Sequence, residues 1–198
     1  MKYLVLFVFL SFCASCTKVY RADYSSRTLA NHRTIAILPP LVDFTDRKSP
    51  LEDQAGELAA AFQGGMYDWL QYRRGDTSYE FTIQDPDATN DRLEAAGFYE
   101  GEDFGWRDLA TVLEVDALII STCSFRIKSL NGVALQTGGF PVSFATNRLY
   151  GDIRLFDADS GRMIWEHTPR VMGGSDDSPL ALLDRLAQRT TKHLPYFR

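Results

Sequence analysis

The sequence has little of what metal, cofactor and nucleotide chemistry require. It contains three histidines and three cysteines among 198 residues. No histidine pair has i, i+4 spacing and no C-x-x-C motif occurs, so a zinc site would need ligands from distant segments. P-loop, G-x-G-x-x-G and G-x-S-x-G patterns are also absent, which excludes a standard phosphate-binding loop and the nucleophile elbow of serine hydrolases. We therefore predict no cofactor, no metal site and no catalytic residue.

Basic residues are too few to favour nucleic-acid binding. Lys and Arg number 21 against 26 Asp and Glu, which gives a formal net charge of −5. A nucleic-acid partner needs a basic face that displaces counterions from phosphates, so none is predicted. The 45% hydrophobic and 24% charged content is close to the globular average. This composition excludes a disordered chain, a collagen-like repeat and a multi-span membrane protein, and the length indicates one domain, with or without a tail.

The first 15 residues have the shape of a secretory signal peptide. Lys2 precedes about a dozen mostly apolar residues, and a positive charge followed by a short apolar stretch is typical of such signals. The stretch is too short to cross a bilayer, which needs about 20 residues. The alternative is a buried core helix, but such a helix would have no polar face.

Residues 13–16, with the sequence CASC, resemble the lipobox of bacterial lipoproteins. Ala14 and Ser15 fit its two small positions, and the first position is cysteine where an aliphatic residue is usual. The resemblance implies cleavage before Cys16 and acylation of that residue by a diacylglyceryl group and often a third chain such as palmitate, enough for a stable anchor. Thr17 stands where Asp would signal inner-membrane retention, which implies the outer membrane of a double-membraned bacterium. The alternative is an ordinary cleaved signal that leaves Cys16 free.

The chain is thus divided into a signal peptide at residues 1–15, a lipidated tether at residues 16–33 and a single α/β domain at residues 34–198. Loss of the signal removes one Lys and changes the formal net charge from −5 to −6. The tether shows no clean periodicity, and its basic residues either lie near anionic head groups or are simply solvated. These basic residues are Lys18, Arg21, Arg27 and Arg33.

Two residues that often carry chemistry are interpreted as structural. Cys123 is the one cysteine of the predicted domain, so an internal disulfide cannot form. It lies in an apolar strand, where a small buried hydrophobe is favoured over a nucleophile. His167 is predicted on a strand, on one face with Met163 and Trp165, as a buried histidine with satisfied hydrogen bonds.

Hydrophobic periodicity predicts an α/β sandwich of two or three layers. Its mixed sheet is expected to be parallel in the early strands and antiparallel in the C-terminal hairpin. The predicted strands cover residues 34–38, 79–83, 117–127, 149–157 and 162–167, and the predicted helices start near residues 50, 87, 106 and 179. Within the first long helix, Gly64-Gly65 indicates a kink or the close approach of another backbone. Residues 171–177 are predicted to form a loop.

Acidic pairs and loops supply the remaining candidates. Asp43 with Asp46, and Asp176 with Asp177, would be the acid and base of an envelope hydrolase, although helix capping and solvated loops explain such residues as well. Residues 157–161 (DADSG) lack the later ligands of a calcium loop and predict a turn. The loop at residues 138–148 either contacts a partner or packs down as a hairpin. A periplasmic small-ligand binder is a further alternative, which would need a closed apolar pocket.

Three segments together resemble a superfamily of bacterial envelope lipoproteins. They are residues 33–39 (RTIAILP), 113–120 (LEVDALII) and 153–165 (IRLFDADSGRMIW). The superfamily includes the curli-secretion lipoprotein, activators of penicillin-binding proteins and the N-terminal domain of TolB, which share an anticodon-binding-like α/β sandwich. The resemblance implies a non-enzymatic role in envelope assembly, secretion or activation. It also implies an envelope protein partner or a homo-oligomer, on an outer-membrane lipoprotein facing the periplasm.

Overall fold

The computed structural model describes residues 18–22, 24–45, 51–100, 104–126, 135–137, 140–142, 147–174 and 177–197. The helices are α1 (Ser26–Asn31), α2 (Ala55–Arg73), α3 (Pro86–Ala95), α4 (Trp106–Leu113) and α5 (Pro179–Thr191). The strands are β1 (Lys18–Arg21), β2 (Thr34–Ile37), β3 (Leu41–Phe44), β4 (Thr82–Ile83), β5 (Ala117–Arg126), β6 (Leu135–Thr137), β7 (Phe140–Val142), β8 (Asn147–Asp157), β9 (Arg162–Thr168) and β10 (Arg170–Gly173). None of the helices in these ranges is both long and apolar enough to cross a bilayer.

Eight strands form one mixed sheet in the order β1-β9-β8-β5-β2-β4, with β10 beside β8 and β3 beside β5. The early strands β2, β3 and β4 are parallel to their neighbours, whereas β8, β9 and β10 are antiparallel. The predicted mixed sheet, parallel early and antiparallel late, is confirmed. The remaining strands, β6 and β7, pair with each other.

Prolines explain why two extended segments of the sheet are each divided into two short strands. Pro39 and Pro40 separate β2 from β3, and Pro169 separates β9 from β10. Proline has no N–H to donate to a neighbouring strand, so the strand ends at the proline and a second strand begins after it. The Pro169 carbonyl still accepts from the Gly151 N–H at 3.0 Å, which shows that this side of the chain faces β8. β10 therefore continues the line of β9.

Helices cover both faces of the sheet, as the predicted sandwich requires. α2, α5 and α1 pack on one face around the buried side chains of Trp165, Phe62 and Met66. α3 and α4 cover part of the other face, around Leu118 and Phe156. The four residues predicted to form the inner stripe of the last helix are all buried. They are Leu183, Leu186, Thr190 and Leu194.

α2 continues through the two glycines without interruption. A Cβ on Gly65 would lie 3.8 Å from Cβ of Ala187, so this position faces α5, whereas one on Gly64 would meet nothing within 4 Å. This is an ordinary contact with a side chain, so the predicted close approach of another backbone is not observed among the described residues. The predicted cap at Ser49-Pro50 lies outside the described residues.

Residues 18–33 are not the irregular tether that their sequence suggested. β1 pairs antiparallel with β9, and Leu29 of α1 is buried in the main core. An edge strand is held by main-chain hydrogen bonds and needs no apolar period, so its sequence carried little signal. Within the described residues, the sheet and core therefore include parts of the segment before residue 34.

Two further predictions about the C-terminal strands were wrong. The register between β8 and β9 shifts at Leu155/Phe156, so Met163 packs in the cluster under α4 while Trp165 packs under α5. Such a bulge adds one residue to a strand and reverses which face follows. In addition, the predicted loop at residues 171–177 contains most of β10, which pairs with β8.

Candidate functional site

The first feature of interest is the edge of the sheet where the chain arrives from Cys16. β1 begins at Lys18, which lies opposite Thr168 of β9. Two residues span at most about 7 Å of extended chain. Any group on Cys16 is therefore held directly beside this edge, here called the attachment edge.

A chain of buried polar groups fixes the segment that follows β1. His32 is 1% exposed. The hydroxyl of Tyr196 lies 2.5 Å from Nδ1 of His32, and Nε2 lies 3.0 Å from Oδ1 of Asp157. The second carboxylate oxygen of Asp157 accepts from the N–H and the hydroxyl of Ser160. A neutral histidine satisfies every contact if Tyr196 donates to Nδ1 and Nε2–H donates to Asp157.

The pKa shifts of these hydrogen-bonded residues are consistent with a structural role. Burial would raise the pKa of Asp157, but the hydrogen bonds from Ser160 and His32 outweigh it and hold that pKa below its usual value. Burial also raises the pKa of Tyr196 well above its usual value. Both nitrogens of His32 and both oxygens of Asp157 make hydrogen bonds within this group of residues. These hydrogen bonds link α1, the β8–β9 turn and the C-terminal segment; we call them the polar link.

Sequence reasoning missed this link because its members are far apart. His32 is 125 positions from Asp157 and 164 from Tyr196. Asp157 was recognised only as part of a turn, and that prediction holds: Asp157 caps the turn and Gly161 adopts a positive φ of 65°. No short-range pattern in the sequence indicates that these three residues are in contact.

Beside this link lies a cleft of about 860 Å³. Most of the residues that line this cleft are polar, and Asp116 is an example. The Asp116 carboxylate accepts from the backbone N–H groups of Arg33 and Thr34 at 2.8 and 2.9 Å. This lining differs from the closed apolar pocket that a small-ligand binder would need.

The predicted acid pairs are not assembled by the described residues. Asp43 is exposed on β3, whereas Asp177 lies at the start of α5 beside β10. Asp177 accepts from the Gly174 N–H at 2.8 Å and from the Arg185 guanidinium, and these bonds lower its pKa. The N-cap of α5 is Ser178, so Asp177 fixes the preceding segment to the helix and does not cap it. Asp46 and Asp176 lie outside the described residues, and within the described part of the chain no cluster of three or more potential metal ligands occurs.

A second surface is the sheet face opposite α2 and α5. In the described ranges α3 and α4 pack near Leu118 and Phe156 at one end of this face. We call the remainder the open face. Strand register places on it Leu41, Asp43, Ile120, Thr122, Ser124, Arg126, Arg148, Tyr150, Asp152, Arg154, Glu166 and Arg170.

Charged side chains are held in fixed positions on the open face. Arg154 bridges Asp152 at 2.6 Å and Glu166 at 3.0 Å. The Tyr150 ring has the Arg170 guanidinium 5.5 Å from its centroid, a cation–π contact. Leu41 is 69% exposed on the same face. Ordered charges around exposed apolar area are typical of a protein-binding surface. The predicted loop at residues 138–148 contributes only β7 and the start of β8 to the described structure.

His167 is buried as predicted, but the described residues do not satisfy its hydrogen bonds. Its side chain is fully buried, and neither ring nitrogen has a hydrogen-bond partner among them. Its ring centroid lies 4.8 Å from that of His193 on the segment after α5. Burial, followed by the charges of His193 and Arg189, lowers the pKa of His167 to about 4. Cys123 is buried as predicted, and burial raises its pKa to about 12.

The structure is similar, at low sequence identity, to several solved bacterial proteins. The PelC dodecamer from Paraburkholderia phytofirmans is 11% identical with a TM-score of 0.48, covering 87% of this chain and 93% of that one. Lipoprotein GNA1162 from Neisseria meningitidis is 16% identical with a TM-score of 0.43, covering 81% and 96%. The LpoB C-terminal domain from Salmonella enterica is 12% identical with a TM-score of 0.37, covering 70% and 82%. The sequence matches no protein-family model and no curated protein.

Proposed function

We propose that this chain is a non-enzymatic lipoprotein of the bacterial envelope, anchored through Cys16. Residues 1–15 are the signal peptide that is removed, and the mature chain begins at Cys16 with its acyl groups. The observation that carries the proposal is the lipobox-like CASC sequence, which ends two residues before β1. A cysteine there holds the folded domain against the membrane surface.

The physics of anchoring supports acylation of Cys16 by more than one chain. A single acyl chain binds a bilayer only marginally, whereas two or more give stable attachment. A diacylglyceryl group with a third chain such as palmitate meets this requirement. Thr17 favours the outer membrane, with the domain facing the periplasm.

We further propose that the domain acts by binding an envelope protein or a second copy of itself through the open face. Leu41 supplies exposed apolar area there. Arg154 with its two carboxylate partners supplies charges whose positions are already set. Preorganised charges of this kind set the orientation of a partner more than its affinity.

The anchor is tested by metabolic labelling with an alkyne analogue of palmitate, followed by membrane fractionation. The wild-type chain should incorporate label and sediment with membranes, and Cys16→Ala should lose both. Cys123→Ala is the matched control, because that thiol is buried and should leave labelling unchanged. Membrane retention and labelling of Cys16→Ala at wild-type levels would contradict the proposal.

The partner surface is tested by photo-crosslinking in intact cells. A photoreactive residue replaces Leu41 on the open face or, as a control, Leu180 on α5, which is also exposed at 55%. Crosslinks at position 41 but not at 180 are expected. A product of twice the chain's mass identifies a second copy, and any other discrete product identifies an envelope partner. Equal crosslinking at both positions would refute a role for the open face.

A further inference from the structure

A groove of about 400 Å³ runs between β10 and α5. Its charged lining is basic and comes from Arg185, Arg189 and Lys192, with His193 beside them. Among these residues, Arg185 pairs with Asp177. Arg189, Lys192 and His193 are exposed. We call these four residues, together with Met172 on the opposite wall, the basic groove.

The basic groove occupies the outer edge of β10, where a further strand could otherwise add. Because the Pro169 carbonyl faces β8, alternation along the chain turns the main chain of Arg170 and Met172 outward. A side-chain nitrogen of Arg189 donates to the Arg170 carbonyl at 2.6 Å, and one of Arg185 makes a long contact of 3.5 Å with the Met172 carbonyl. These arginines block the acceptors that an added peptide strand would use. A peptide is therefore not the occupant that the groove fits.

The basic groove also flanks the attachment edge. Lys18 of β1 pairs with Thr168, two residues before Arg170 along the same line. Arg21 pairs with Trp165, whose side chain is buried beneath α5, so Arg21 belongs to the α5 side of the sheet. Arg189, Lys192 and His193 line the same groove, and burial, followed by the charges of Arg189, Arg21 and Lys192, lowers the pKa of His193. Cations thus lie on the side of the domain that leads to Cys16.

We propose that the basic groove rests on the anionic head groups of the membrane that holds Cys16. The proposal rests on the proposed function, because the lipid on Cys16 brings the groove to the bilayer. Two residues of chain keep this edge within about a Debye length of the head groups, where their attraction is not screened. The full sequence, with the groove included, has a formal charge of −5, so the attraction is local and orients the domain.

Two exposed side chains with apolar surface are also suited to the proposed contact with the membrane. Tyr20 on β1 and Met172 on β10 are each 53% exposed at this edge. An exposed tyrosine beside basic residues is typical of the interfacial zone of a membrane. The sheet would then stand edge-on, with β1 and β10 toward the bilayer and β4 away from it. Strand register places both side chains at the margin of the open face, opposite Glu166 and Arg148. The rest of that face remains free for a partner.

The test uses the mature chain, residues 16–198, carrying Cys16→Ser and made without the signal, so that it bears no lipid. Its binding is measured on vesicles of neutral phosphatidylcholine alone and on vesicles with about 30% anionic phosphatidylglycerol, at about 0.1 M salt. Binding to the anionic vesicles should be clearly stronger. One basic residue near such a surface contributes about a fivefold change in partitioning. Arg189→Gln with Lys192→Gln should therefore weaken anionic binding about 25-fold.

A matched pair of substitutions provides the control. Arg33→Gln with Arg74→Gln removes the same charge near the opposite, β4 edge of the sheet, and should leave vesicle binding nearly unchanged. Arg189→Gln also removes a hydrogen bond to β10, so Lys192→Gln alone, at an exposed position, is measured as well and should weaken binding about fivefold. Unchanged far-ultraviolet circular dichroism confirms folding.

Three outcomes would overturn the proposal. They are equal binding to neutral and anionic vesicles, equal loss of binding in the control pair, and release by millimolar inorganic phosphate at constant ionic strength, which would indicate a site for soluble phosphate. Because this chain carries no acyl group, the result does not depend on whether Cys16 is lipidated. Failure of the labelling experiment would overturn the anchor alone.

Discussion

His167 gives a quantitative prediction about how stability depends on pH. The native pKa of about 4 lies well below the ordinary value of 6.5, first because the ring is buried and then because of the nearby charges of His193 and Arg189. Above pH 6.5 the ring is neutral in both the folded and unfolded states and contributes no pH dependence. As the pH falls below 6.5, the unfolded chain binds a proton that the native chain refuses, so stability is lost until the pH reaches about 4.

The magnitude follows from the size of the shift. One pKa unit corresponds to about 1.4 kcal/mol, so the full loss between pH 6.5 and 4 is about 3 kcal/mol. Between pH 7.5 and pH 5.0 this residue accounts for about 2 kcal/mol. His167→Phe removes the titration and keeps an aromatic ring beside Trp165 and His193, whose rings lie at centroid distances of 5.6 and 4.8 Å.

The assay is urea unfolding of the mature chain at pH 7.5 and 5.0, with and without His167→Phe. The wild-type chain should lose about 2 kcal/mol more unfolding free energy than the variant between the two pH values. Carboxylates contribute equally to both chains, so the difference isolates His167. Nuclear magnetic resonance titration of the His167 ring should show it still neutral at pH 5. An identical pH dependence in the two chains would refute the reasoning.

Three further predictions concern other positions in the fold. Tyr196→Phe leaves Nδ1 of His32 without a donor and should cost about 1–3 kcal/mol of unfolding free energy in urea; an unchanged midpoint would show that the link is dispensable. Gly64→Ala should stabilise α2 by up to about 1 kcal/mol. Gly151→Ala should lower the free energy of unfolding by about 1–3 kcal/mol, because its Cβ would lie 2.6 Å from the Ile153 side chain. A higher melting temperature for Gly151→Ala than for Gly64→Ala would contradict this. The Cys123 thiol, with a pKa of about 12, should react with a thiol reagent at pH 8 only as the chain unfolds; rapid reaction of the folded chain would contradict its burial.

Long apolar patterns made much of this fold predictable. Three of the four residues that recur at helical spacing near the C-terminus lie in α5 and the fourth follows it, and all four are buried. β5, in the interior of the sheet, begins with four consecutive apolar residues and then alternates. α4 matches its predicted bounds, residues 106–113. In these elements the hydrophobic period and the burial agree, so the sequence pattern alone indicates which face is inside.

The elements that escaped prediction are held by other forces. β1 depends on main-chain pairing with β9, and its neighbour α1 is fixed by the buried His32, whose partners are distant in sequence. The bulge at Leu155/Phe156 depends on packing against two different layers. None of these leaves a short-range pattern. The same holds for the basic groove, because its cations come together only when α5 lies along β10.

The nature of the residue at position 16 tests the central claim most directly. Trypsin cleaves after Lys18, so the N-terminal peptide of the mature chain is the tripeptide of residues 16–18. Mass spectrometry of the chain extracted from membranes should find this tripeptide with a thioether-linked diacylglyceryl group on Cys16. A tripeptide with a free thiol, or a chain that still begins at Met1, would contradict the account.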